Sequence, residues 1–243
     1  MTDATARRAG DGEPAVRLRG VGKRFGWTWA LRDVDLVVDR GELLALMGPN
    51  GAGKSTLLQI LATLLKPTGG DVEVLGRRLS DGTDEIRRRV GFLAAQGYLY
   101  GELTARENLR FSSLMSGLVD WEEGAAAALD RVGLERAADL RVRGFSSGMK
   151  KRLALARLLL RPLELVLLDE PYASLDTEGV GLVDDLVEEM QEDGRTVILA
   201  SHQWGRSLQA ADRVAVLRRG RVGWTGTPEE HARDAVILTD AGS

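Results

Sequence analysis

The chain has 243 residues, and 33 Lys and Arg against 36 Asp and Glu give a formal net charge of −3. Hydrophobic residues make up 44% of the sequence, which excludes a disordered or collagen-like chain and provides enough apolar material for one large domain. The absence of Cys and the presence of only two His exclude disulfides and thiolate metal centres and disfavour a zinc site. The net charge does not favour nucleic acid as a partner, so the short basic runs are predicted to be solvated helix faces and strand edges: 87–89, 150–152 and 218–219.

The N-terminal segment is polar and carries Arg7 and Arg8 without an apolar stretch behind them. The sequence therefore predicts no signal peptide, and no run of about 18 apolar residues predicts a membrane span. We expect a protein of the reducing cytoplasm, with residues 1–14 as a mobile leader.

The first part of the chain is predicted to alternate strands with one helix. Strand-like runs precede a fully apolar strand, and the first two are expected to form an antiparallel subdomain: 16–21, 30–38 and 43–47. A Gly-rich loop follows, and the leucine spacing then predicts a helix over 55–65, which Lys66 and Pro67 end. Two short strands are predicted next, at 71–75 and 89–93.

The pattern becomes helical between residue 96 and about residue 162, with predicted helices at 122–132 and 149–160. Strand runs then return around a helix at 180–190, at 165–168, 196–200 and 214–217. This alternation predicts an α/β fold with a mostly parallel core sheet, interrupted by an inserted helical segment.

A phosphate-binding motif is present at residues 48–55, which match G-x-x-x-x-G-K-[ST] directly after an apolar strand and at a helix start. The glycines allow backbone N–H groups and the helix dipole to face phosphates, while Lys54 is expected to bridge β- and γ-phosphates and Ser55 to supply an oxygen to Mg²⁺. A Gly-rich turn that contains Lys-Ser by chance is the alternative, and the flanking strand and helix disfavour it. The predicted nucleotide-contacting residues are Gly48, Pro49, Asn50, Gly51, Ala52, Gly53, Lys54, Ser55 and Thr56.

Two adjacent acids, Asp169 and Glu170, end the apolar strand predicted at 165–168. Both are expected at the carboxyl edge of the sheet, where open α/β folds bind ligands. Asp169 is predicted to hold Mg²⁺, and Glu170 to polarise the attacking water as the general base. The alternative, surface acids that cap a turn, is disfavoured by the phosphate motif upstream.

These segments resemble the ATP-binding cassette (ABC) ATPases over about residues 16–227, and further segments follow the order of that family. The resemblance implies that Phe25 stacks on adenine, that Gln96 contacts Mg²⁺ and water, and that His202 contacts the γ-phosphate. It further implies nucleotide contacts from the signature residues Ser146, Ser147 and Gly148 and from the D-loop residue Asp176. The less specific alternatives are core packing for Phe25, an ordinary turn residue for Gln96 and a structural imidazole for His202.

Two tryptophans near Phe25 provide another candidate platform for adenine. Trp27 and Trp29 are two residues apart on a possible strand, which predicts that they share one face. Packing in the core or on the surface is the alternative for both. His231 is predicted to be solvated.

The signature segment departs from the LSGGQ pattern of the family, because Ser147 replaces its first glycine and Met149 its glutamine. Ser146 and Gly148 are retained, and a helix start with a hydroxyl and backbone N–H groups still suits a γ-phosphate. We therefore expect an active ATPase, with a degenerate regulatory subunit as the alternative.

The family resemblance implies a P-loop NTPase cassette with a core at 15–96 and 163–230, a helical subdomain at about 97–162 and a tail at 231–243. It also implies that ATP lies between the phosphate loop of one subunit and the signature of another, so a homodimer would hold two composite sites. The ATPase would then drive a separate membrane permease that docks near residues 97–107. The chain would accordingly lie at the cytoplasmic face of the membrane and touch it through the permease alone.

A narrower resemblance is to the haem exporter ATPases of cytochrome c maturation, carried by residues 96–100, 103–111, 143–149 and 169–172. It implies haem export with a small membrane subunit, although the nucleotide site does not define the cargo. The alternatives are the ATPase of a multidrug, antibiotic or ion exporter, a soluble ABC protein acting on ribosomes or DNA, and a binding module without hydrolysis. Glu170 disfavours the last of these.

Overall fold

The computed structural model describes residues 12–95, 98–118, 120–202 and 204–233, with the backbone alone for residues 204, 206 and 207. Gln96 lies outside the described residues, as do most of the predicted leader and residues 234–243 of the predicted tail. Within the described part, Pro14 is buried and the carbonyl of Glu13 accepts a hydrogen bond from Arg40 Nε at 3.3 Å.

Four strands between residues 16 and 78 form an antiparallel sheet in the order β2-β1-β4-β5. Its strands are β1 Val16–Phe25, β2 Thr28–Val38, β4 Gly69–Val74 and β5 Arg77–Arg78. Alternate side chains of β2 are buried, among them Val34, Leu36 and Val38, as expected for a strand with one face on the core. The predicted antiparallel subdomain is thus confirmed.

The second sheet has six strands in the order β10-β9-β3-β8-β7-β6, and all neighbours are parallel except β10 and β9. The strands are β3 Leu43–Met47, β6 Val90–Leu93, β7 Leu165–Asp169, β8 Thr196–Ser201, β9 Arg213–Arg218 and β10 Arg221–Gly226. β3, β7 and β8 are buried along their whole length, which explains why each contains a continuous apolar run. Their carboxyl ends meet at one edge, because Met47 pairs with Ser201 and Asp169 pairs with Ala200.

Helices cover both faces of the six-stranded sheet. They are α1 Lys54–Leu61, α2 Asp84–Arg89, α3 Ala105–Met115, α4 Glu122–Arg131, α5 Ser147–Leu159, α6 Thr177–Glu192 and α7 Trp204–Gln209. One core packs α1 between the two sheets, a second packs α3 to α6 against β7 and β8, and a small third cluster joins β3 and β9. The helical segment therefore shares its core with the sheet. The predicted α/β fold is confirmed.

α1 ends at Leu61, whereas the leucine spacing predicted that it continues to residue 65. Thr63 has a φ of 63°, and the amide of Leu64 donates to the carbonyl of Gln59 at 2.8 Å, so the chain closes the helix with a left-handed residue. Arg87 Nε stabilises this turn by donating to Thr63 Oγ1 at 2.7 Å. A threonine in a position that usually requires glycine gives no sequence signal.

Candidate functional site

The phosphate loop joins β3 to α1 and rests on neighbouring backbone. Gly53 precedes α1 with a φ of 110°, and a Cβ there would lie 2.6 Å from the carbonyl oxygen of Ala30, so no side chain fits. The amide of Gly220, in the turn between β9 and β10, donates to the carbonyl of Ala52 at 2.9 Å. The two contacts fix the loop against β2 and the β9–β10 turn, ahead of the helix N-terminus that bears Lys54 and Ser55.

Lys54 is buried at the end of this loop, with only 6% of its side chain exposed. Its ammonium donates to the carbonyls of Gly48 at 2.7 Å and Pro49 at 3.2 Å, and lies 3.9 Å from Glu170 Oε1. Burial lowers the pKa of Lys54, and the negative charges of Glu170 and Asp169 oppose that shift. The structure thus brings the predicted phosphate lysine to the predicted acids.

Asp169 ends β7 at the same edge and is 2% exposed. Burial raises the pKa of its carboxyl group, while a hydrogen bond from Ser55 and the charges of Lys54 and Lys151 lower it. Among the described residues, Asp169 Oδ1 is buried without a hydrogen-bond partner. An unpaired carboxylate oxygen beside a serine hydroxyl matches the oxygen donors that Mg²⁺ prefers, so the residues fit that ion.

Glu170 follows β7 and contacts polar groups from the end of β8. Its Oε1 lies 2.9 Å from His202 Nδ1, and its Oε2 accepts from Ser201 Oγ at 3.4 Å. The backbone at Glu170 has a φ of 48°, a left-handed conformation that few residues other than glycine adopt. The side chain is 18% exposed, so the carboxylate is held between a lysine, a histidine and a serine at the mouth of the site.

The predicted signature residues form a second group, at the start of α5. Ser146 is the N-cap, and its Oγ accepts from the amide of Met149 at 3.2 Å. Asp176 caps α6 by accepting from the amide of Gly179 at 2.8 Å, and it pairs with Arg152 at 3.1 Å. These residues line an open groove of about 580 Å³, whose lining includes no phosphate-loop residue: Gly133, Leu134, Arg136, Ala137, Leu140, Ser146, Ser147, Gly148, Met149, Arg152, Ser174 and Asp176.

Comparison with known proteins identifies the family. A family model described as ABC transporter matches residues 31–173. This chain belongs to the ABC transporter family. Members of the family are ATPases coupled to transport, so the chain is an ATP-binding ATPase.

Individual relatives extend the match over most of the chain. The phosphonates import ATP-binding protein PhnC of Caulobacter vibrioides is 36% identical over 93% of this chain and 92% of its own length. The daunorubicin resistance ATP-binding protein DrrA3 of Streptomyces coeruleorubidus is 36% identical over 95% of this chain and 75% of its own length. Among solved structures, the dimeric post-hydrolysis state of the ATP-binding cassette MJ0796 bound to ADP and Pi superposes with a TM-score of 0.82 and 31% identity, over 88% of this chain and 98% of that one.

The aromatic residues predicted as candidates for stacking on adenine lie at the β1–β2 hairpin of this ABC cassette. Phe25 ends β1 with 50% of its surface exposed, and the ammonium of Lys23 lies 5.1 Å from its ring centroid. Core packing is therefore excluded for Phe25. The prediction that Trp27 and Trp29 share a strand face is wrong, because Trp27 lies in the turn before β2 and is 96% exposed, whereas Trp29 lies on β2 beside Arg24.

Other sequence predictions have mixed outcomes. His231 is packed rather than merely solvated, with its ring 5.2 Å from that of Trp224. Lys151, which the sequence placed on a solvated basic face, is 6% exposed, and its ammonium donates to the carbonyl of Glu170 at 3.1 Å. The sequence of three consecutive basic residues does not indicate which of the three side chains is buried.

No helix among the described residues is long and apolar enough to cross a bilayer.

Proposed function

We propose that the chain is the ATP-hydrolysing subunit of a membrane ABC transporter, bound to the cytoplasmic face of the membrane through a separate permease. The observation that carries this proposal is the cluster at the carboxyl edge of the parallel sheet. Lys54 starts α1, Asp169 and Glu170 lie at the end of β7, and His202 follows β8. Glu170 lies within 3.9 Å of Lys54 and 2.9 Å of His202.

Within this cluster each side chain has a role that its surroundings support. Lys54 and the loop amides bind the β- and γ-phosphates, because a buried ammonium interacts strongly with an anion. Ser55, Asp169 and Gln96 are assigned to Mg²⁺, which when bound neutralises phosphate charge. Glu170 accepts a proton from the attacking water, while His202 and Ser201 orient its carboxylate and the imidazole contacts the γ-phosphate.

The composite active site needs a second copy of the chain. The signature groove is lined by Ser146, Ser147, Gly148 and Asp176 among others, and its lining includes no phosphate-loop residue. In our proposal this groove therefore contacts the ATP that is bound to the phosphate loop of the second copy. The altered signature keeps a helix start capped by Ser146, and a helix N-terminus is a site that favours phosphate. The dimer of the relative MJ0796 supports this arrangement.

An exposed apolar surface supports the proposed permease contact. It comprises Tyr98, Tyr100, Phe111, Leu114 and Met115, of which Met115 is 74% exposed. Tyr100 and Phe111 pack edge to face with ring centroids 4.8 Å apart, and Phe111, Leu114 and Met115 share one face of α3. This surface adjoins the proposed docking segment 97–107, of which the structure describes 98–107. Contiguous exposed apolar side chains are typical of interaction sites.

The permease, rather than the ATPase subunit, determines which molecule is transported. The sequence resemblance supports a haem exporter, whereas the relative DrrA3 supports a drug exporter. None of the relatives named above is a haem exporter.

We propose identifying the partner by expressing the tagged chain in its native host, extracting membranes in mild detergent and analysing co-purifying proteins by mass spectrometry. A small membrane subunit with haem-handling proteins supports the first candidate and a larger permease the second. Ribosomal or DNA-bound partners without a membrane protein would contradict the transporter proposal.

Replacing Met115 with Glu is expected to lower recovery of the permease by about tenfold, because a charge would be buried in an apolar contact. Recovery is measured by quantitative mass spectrometry of the detergent extract. Leu64→Glu is the matched control, since Leu64 is 55% exposed but lies after α1, outside this surface. Equal recovery from Met115→Glu and Leu64→Glu would contradict the assigned docking surface.

Replacing Phe25 with Ala is expected to weaken ATP binding by about tenfold, because one ring–base stack is lost. Phe25→Tyr keeps the ring and is expected to bind ATP like the wild type. Affinity is measured by calorimetry, with Trp27→Ala as the control for loss of a neighbouring exposed ring. If Trp27→Ala has the larger effect, Trp27 rather than Phe25 stacks on adenine.

A further inference from the structure

Glu170 has an unusual backbone that contacts from three sides hold in place. Its φ of 48° lies in the left-handed region, which is unfavourable for a residue with a side chain. Its amide donates to the carbonyl of Ala200 at 2.9 Å, and its carbonyl accepts from the amide of Ala173 at 3.2 Å and from Lys151 Nζ at 3.1 Å. Lys151 provides the one side-chain donor among these contacts.

Lys151 reaches this carbonyl from a different element, the second turn of α5. The side chain is 6% exposed, although its neighbour Lys150 is exposed on the same helix. Burial lowers the pKa of the Lys151 ammonium, while the negative charges of Asp169 and Glu170 oppose the shift. A buried cation is costly to retain, and the cost is offset here by the negative charges of Asp169 and Glu170 and by the carbonyl to which the ammonium donates.

We propose that Lys151 is a positioning residue for ATP hydrolysis, which holds the Glu170 backbone so that the carboxylate faces the attacking water. The inference rests on the proposed role of Glu170 as the general base. The signature residue Ser146 caps α5 and Lys151 lies in the second turn of that helix, so Lys151 connects the signature helix to the general base of the same subunit. It touches neither nucleotide nor water in this role, and acts through Glu170 alone.

The test compares three variants of the full-length chain by steady-state phosphate release at several ATP concentrations. Lys151→Met keeps the aliphatic stem and removes the donor, so kcat is expected to fall about tenfold while KM for ATP stays within about twofold. Lys151→Arg keeps a cationic donor and is expected to retain kcat within about threefold of the wild type. Lys150→Met, the control on the adjacent exposed position, is expected to leave both constants unchanged.

The outcomes separate this inference from the proposed function. A Lys151→Met protein with the kcat of Lys150→Met overturns the inference, and so does a folded Lys151→Arg protein as slow as Lys151→Met. Thermal unfolding and ATP affinity, measured for each variant, exclude loss of the fold as the cause. If Glu170→Gln measured in parallel abolishes turnover, the general base stands whatever Lys151 does. If Glu170→Gln turns over normally, it is the proposed role of Glu170 that fails.

Discussion

Replacing Glu170 with Gln is expected to lower ATP turnover by about 100- to 10,000-fold, the range that a general base contributes, while ATP still binds. The amide has the shape of the carboxylate and still accepts from Ser201, but it cannot take a proton from water. Lys54 and the phosphate loop are unchanged, so the affinity for ATP persists. Because bound ATP stabilises the proposed dimer and hydrolysis releases it, the variant is also expected to remain dimeric in ATP.

Turnover of the Glu170→Gln variant is measured by phosphate release, ATP affinity by calorimetry and the dimer by light scattering with and without ATP. Glu188→Gln is the matched control, because Glu188 is an exposed carboxylate on α6, away from the cluster. It is expected to match the wild type in every assay. Hydrolysis by Glu170→Gln at the wild-type rate would remove Glu170 as the base and leave the proposed mechanism without one.

The main cluster was predictable from the sequence because of the sheet. A continuous apolar run is typical of a parallel strand buried on both faces, and the carboxyl ends of such strands meet at one edge. The phosphate loop that bears Lys54 follows such a run, as do Asp169 and His202, so the sequence predicted all three residues at the carboxyl edge of the sheet without any knowledge of side-chain contacts. The observed register, which pairs Met47 with Ser201 and Asp169 with Ala200, brings these ends together as expected.

Features that depend on tertiary contacts were not predictable. Lys150 and Lys151 are identical in sequence terms, yet the phase of α5 buries the second beneath Glu170 and exposes the first. The early end of α1 depends on Arg87, 24 residues further along the chain, which bonds to Thr63. Trp27 was misplaced because the hairpin turn falls at that residue, and no Asn-Gly or Asp-Gly pair marks it.

Replacing Lys54 with Ala is expected to weaken ATP binding by about 10- to 100-fold, the effect of losing a hydrogen bond to a charged group. The loss is large because the ammonium is buried, where water screens its attraction to phosphate only weakly. Removing it also takes away the ammonium that lies 3.9 Å from Glu170 Oε1, so the Glu170 carboxylate and the ATP phosphates would face each other without that cation. Calorimetric titration with ATP at constant ionic strength measures the effect, and Lys66→Ala, at an exposed lysine after α1, is the control. A folded Lys54→Ala protein that binds ATP as tightly as Lys66→Ala would contradict the assignment of residues 48–55 as the phosphate loop.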